Sequence, residues 1–98
     1  MGPKQKPNKG LYSRLYISAA SKFPTLADYL QPDKSSDNEE VVETLKSYES
    51  TIYVEMSKDF VDAGYKLDTD YDKEIRGFIR ARVKSEAAKT LKRKINLD

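Results

Sequence analysis

The residues of this chain best suited to chemistry are its cations. Lys73, Arg76, Arg80 and Lys84 follow one another at steps of three and four, a spacing that sets them in one row on one helix face. Lys89, Lys92, Arg93 and Lys94 cluster a few residues later. Such a row matches the spacing of phosphates along a groove, and each phosphate contact releases counterions. The expected ligand is therefore nucleic acid, with Lys73, Arg76, Arg80, Lys84, Lys89, Lys92 and Arg93 as the binding residues. A plainer reading competes with it. Basic residues near a helix C-terminus complement the dipole, and a charged row is commonly just a solvated side. An acidic helix alongside could also pair with the row, at roughly 0 to 1 kcal/mol per surface pair.

Other chemistry is excluded by composition. Histidine and cysteine are both absent, which removes the usual general base, the Ser–His and Cys–His nucleophiles, most zinc sites and any disulfide framework. Four glycines do not build a phosphate-cradling loop. The alternation Asp68, Asp70, Asp72 opens like an EF-hand loop, but that motif needs Gly at 73 and Glu at 79, where the chain has Lys73 and Ile79. A cluster of aspartates at a helix start is the better reading. Carboxylate pairs such as Glu39 and Glu43 fall on a predicted solvent face with nothing to raise their pKa. The expectation is a non-catalytic protein with no cofactor and no metal. The seven tyrosines fall mostly at core-facing positions, so packing outweighs base stacking. Tyr12 and Tyr16, beside Arg14, remain a candidate partner surface.

The elements that position these residues are helical. Residues 38–63 carry the strongest pattern. Val41, Val42, Leu45, Tyr48, Ile52, Tyr53, Met56, Phe60 and Ala63 fall on one face at 100° per residue. Asp37 with Glu40, or Ser36 with Glu39, offers a capping box at the start, and Gly64 offers a left-handed stop. Thr51, Ile52, Tyr53 and Val54 have local strand preference, overridden by the helical period on both flanks. A shorter helix is predicted over residues 11–23, ended by Pro24. A helical turn through Leu26, Tyr29 and Leu30 follows it, capped by Thr25 and Asp28.

The last helix is predicted from residue 70 to about 95, capped by Thr69 with Asp72. Its stripe, Tyr71, Ile75, Ile79, Val83, Ala87, Leu91 and Ile95, advances by four residues each time. That line drifts 40° per step, so the second half is expected to turn away from the long helix. Exposed Leu91, Ile95 and Leu97 would then favour self-association. Gly77, inside this helix, is read as a point of close approach to a neighbour. Arg82 is expected to snorkel at the core edge toward Glu86 or the long helix's acids.

Leu11-Tyr12-Ser13-Arg14 with Lys22-Phe23-Pro24 resembles the first helix of the small mitochondrial LYR-motif proteins. Ser13 interrupts that tripeptide, and no property is carried over from the family.

With 98 residues, 38% hydrophobic and 35% charged, the chain supports one modest core. The predicted fold is all-α: a small three-helix bundle with a long antiparallel helical hairpin, a short N-terminal helix and a disordered basic N-terminal tail. The tail is placed at residues 1–10 and the single helical domain at 11–98. Net charge is +2, yet residues 37–72 sum to −8 and residues 73–98 to +6. No apolar run approaches a membrane span or a secretory signal, so the expected setting is cytoplasm or nucleus with no membrane partner. Two functions are carried forward: nucleic-acid binding through the last helix, and a protein-interaction or assembly subunit, including a homo-oligomer packed through the long helices.

Overall fold

A computed structural model describes residues 6–30 and 37–97. It contains four helices in these segments: α1 (Lys9–Ala20), α2 (Leu26–Leu30), α3 (Asn38–Asp62) and α4 (Thr69–Leu91). The architecture is the expected all-α bundle, with α3 and α4 as its antiparallel hairpin and α1 and α2 packed across both.

The long helix forms where its pattern placed it. Asp37 is its N-cap and accepts from the Glu39 N–H, with Glu39 and Glu40 in the first turn where the dipole favours them. Over 25 residues it runs about 38 Å at 1.5 Å per residue. Val41, Leu45, Tyr48, Ile52, Met56 and Phe60 are buried along it, while Val54 is 62% exposed. The helical period therefore wins over the local strand preference. Its stop is a Schellman motif: Gly64 has φ 97°, the Tyr65 N–H reaches the Phe60 carbonyl at 3.3 Å, and the Gly64 N–H reaches Val61 at 2.9 Å. Tyr65 then stacks on Phe60, ring centroids 5.1 Å apart, which is the apolar contact that accompanies such a stop.

Other boundaries moved. Helix α1 starts at Lys9, inside the segment read as tail, because the Asn8 side chain accepts from the Leu11 N–H. Residues 1–5 of that tail and the Ser36 cap lie outside the described residues. The Thr25–Asp28 capping box forms in both directions. Helix α4 is capped by Asp68, which accepts from Tyr71, and not by Thr69 with Asp72. Asp72 is engaged elsewhere, as described below.

The end of α4 departs furthest from expectation. It stops at Leu91, and Lys92 takes the left-handed conformation at φ 59°. That conformation costs a non-glycine residue roughly 1–2 kcal/mol. Burying one leucine side chain contributes about 1.5–3 kcal/mol, and the turn buries both Ile95 and Leu97, 7% and 1% exposed. Burial of the two anchors outweighs the strain. The drifting stripe does not turn away either: Ile75, Ile79, Val83 and Ala87 are all within 1% of full burial. As the line rotates, α1 and α2 cover what α3 does not.

Three helices share one part-buried polar contact. The Tyr16 hydroxyl donates to Glu86 Oε2 at 3.1 Å, and Tyr48 of α3 lies against the same pair. Burial, then the Glu86 charge, pushes both hydroxyls up from the ordinary tyrosine value, so they remain donors across the neutral range.

Candidate nucleic-acid interface

The predicted basic residues fall into two groups with different surroundings. Lys73, Arg76, Arg80 and Lys84 share one side of α4, as their spacing required, but two of them face carboxylates. The antiparallel hairpin lays α3's acids alongside. Arg80 donates to both oxygens of Glu49, at 3.1 and 3.2 Å. This fork-on-carboxylate geometry is the stronger kind of ion pair, and it lies half-buried in a groove of about 470 Å³ between α3 and α4.

Arg76 donates to Asp72 one turn earlier, Nε to Oδ2 at 2.9 Å, and its guanidinium lies 3.9 Å from the Tyr53 ring centroid. The Tyr53 hydroxyl donates to the other oxygen of Asp72. Together they form a clasp between α3 and α4. The Tyr53 hydrogen bond, then Arg76, holds the Asp72 carboxyl below its ordinary value, and Asp72 pushes Tyr53 and Arg76 up. Lys73 is exposed and Lys84 half-exposed. Neither has an ion pair among the described residues.

The second group sits at the end of α4. Lys89 lies in the last helical turn, and Lys92, Arg93 and Lys94 form the exposed turn that follows. Ile95 and Leu97 pin that turn to the core from the far side. Arg93 Nη2 donates to Asn38 Oδ1 at 2.8 Å, fixing the turn against the start of α3. Among the described residues no carboxylate lies within ion-pair distance of Lys89, Lys92 or Lys94.

Two residues singled out by sequence are placed differently. A Cβ added to Gly77 would meet nothing within 4 Å among the described residues, so none of the described helices approaches closely there. Among the described residues Arg82 makes no ion pair with an acid. Its guanidinium rests over the Tyr16 and Phe78 rings, 5.2 and 5.8 Å from their centroids. The Tyr53–Asp72–Arg76 clasp escaped sequence reading because Asp72 looked like a capping partner and the hairpin register was unknown. Among the described residues no group of three or more His, Cys, Asp or Glu could hold a metal ion, and no helix is long and apolar enough to cross a membrane.

No protein-family model matches this chain. Neither a characterised protein nor a solved structure is significantly similar to it.

Proposed function

We propose that this chain is a non-catalytic binding protein that contacts nucleic-acid phosphates through the end of α4. The observation that carries the proposal is the exposed turn at residues 92–94. It presents Lys92, Arg93 and Lys94, with Lys89 one helical turn away, on a base fixed by buried Ile95 and Leu97. A pinned cationic turn is already ordered when it meets a phosphate backbone, so little further chain entropy is lost on binding. Arg76 and Arg80 contribute less, because phosphate must compete there with Asp72 and Glu49. Lys73 and Lys84 extend the surface along α4.

Phosphate contacts made this way position a backbone and carry no base preference. Binding is therefore expected to be sequence-tolerant and steeply weakened by salt. Filter binding of a mixed-sequence oligonucleotide over a range of salt concentrations tests this. A linear fall of log affinity with log salt is expected. Absence of salt-sensitive affinity for both DNA and RNA overturns the proposal.

A further inference from the structure

A second surface, between α1 and α4, is unrelated to the basic turn. A groove of about 470 Å³ opens there. Along its α4 wall Gly77, Ala81 and Ser85 form a small-residue stripe at four-residue steps, flanked by Glu74, Phe78 and Arg82. Gly77 is exposed and has open space where a side chain would be, so packing within one copy does not require glycine. A helix interior disfavours glycine relative to alanine, which leaves this residue without an internal reason.

Tyr12 lines the same groove. It is 5% exposed, and its hydroxyl is buried with no hydrogen-bond partner among the described residues. Burial, then Glu74, Tyr71 and Asp68, pushes it up to about 12, so it remains a donor without an acceptor. Buried donors are normally satisfied. At the rim stand Arg82, spread over Tyr16 and Phe78, and Glu74, two turns earlier. Neither has an ion pair among the described residues.

We infer that this groove is the contact face of a homodimer, with α4 of one copy packed antiparallel on α4 of a second across a two-fold axis. A second copy is the occupant because the face complements itself. With the axis passing between positions 79 and 80, Phe78 lies opposite the partner's Ala81 and Gly77 opposite the partner's Arg82, large against small both times. Each Arg82 comes within one turn of the partner's Glu74. The partner's Ser85 arrives beside Glu74 at the same end of the groove. A two-fold interface makes every such contact twice. The stripe covers about three helical turns, so the buried area falls below the roughly 1,600 Å² of a standard interface. The dimer is weak and concentration-dependent.

Sedimentation of the full chain from low micromolar to near-millimolar concentration tests this. The mass is expected to rise from monomer to dimer over that range. Gly77→Gln adds a side chain to the groove at a position where a Cβ meets nothing within 4 Å among the described residues. It should weaken association by about tenfold or more while circular dichroism keeps its helical signal. Arg82→Glu should weaken it as well, by placing two acids together. The double variant Glu74→Arg/Arg82→Glu restores the pair and should return affinity to about the wild-type value. A chain that stays monomeric throughout, leaving the face to some other partner, overturns the inference. So does a dimer whose affinity Gly77→Gln leaves unchanged, or one the charge swap does not rescue.

Discussion

The middle and the end of α4 carry similar basic residues at similar density, yet the fold treats them oppositely. In the middle, Arg76 and Arg80 are held by Asp72 and Glu49. At the end, Lys89, Lys92 and Lys94 have no carboxylate within ion-pair distance among the described residues. The acids of α3 explain part of this. Glu49 and the Tyr53–Asp72 clasp sit where the two helices lie side by side, whereas past Leu91 the chain has left the hairpin and turned across the start of α3. The availability of Arg80 is thus set by the register of the neighbouring helix, which no reading of one helix supplies, while Arg76 is held by Asp72 within α4. Two stretches of similar basic density become an internal strut and an open surface.

Breaking the end of α4 should have the largest effect. Leu97 is 1% exposed, and Leu97→Ala is expected to cost about 2–5 kcal/mol in urea denaturation. It should also weaken oligonucleotide binding by releasing the basic turn. In the middle, a double-mutant cycle on Arg80→Ala and Glu49→Ala should give a coupling of about 0.5–1 kcal/mol, because the pair is only partly shielded from water. A coupling near zero would remove the distinction between strut and surface.

The clasp is expected to show itself more subtly, through pH. Asp72 is held below its ordinary 3.8, so its contribution is fully present above that value and is lost as pH falls through the lower folded one. Asp72→Asn should flatten the acid limb of a stability–pH curve, while Lys89→Gln and Lys92→Gln should leave the limb as it is. Smallest of all is the stability change for those two lysine variants, within about 0.5 kcal/mol, because nothing in the fold rests on their charges.

Much of the fold was legible in the sequence, for local reasons. The apolar face of α3, the Asp37 cap, the Thr25–Asp28 box and the Gly64 stop depend on residues within one turn of each other. Features that required knowing what lies opposite were not legible. Gly77 looked like a close approach, but the glycine faces open space. Residues 92–95 looked like a continuing helix, since nothing local marks Lys92 as a stop. Only the tertiary burial of Ile95 and Leu97 makes the left-handed turn worthwhile. The candidate site was half legible: its residues were named by spacing, and pairing with the acidic helix was foreseen as a competitor. The uptake of Arg80 by Glu49 was decided by the hairpin register, whereas Asp72 and Arg76 stand one turn apart on α4 itself.

The most direct measurement is a pair of salt titrations of oligonucleotide binding, made on two variants that remove cations from one half of α4 each. Lys89→Gln/Lys92→Gln should reduce the slope of log affinity against log salt by about 2, close to 0.9 per lost phosphate contact. Arg76→Gln/Arg80→Gln should change it by less than half of that. Equal slopes for the two variants, or a larger loss from the middle pair, would contradict the division of α4 into a neutralised strut and an open binding end.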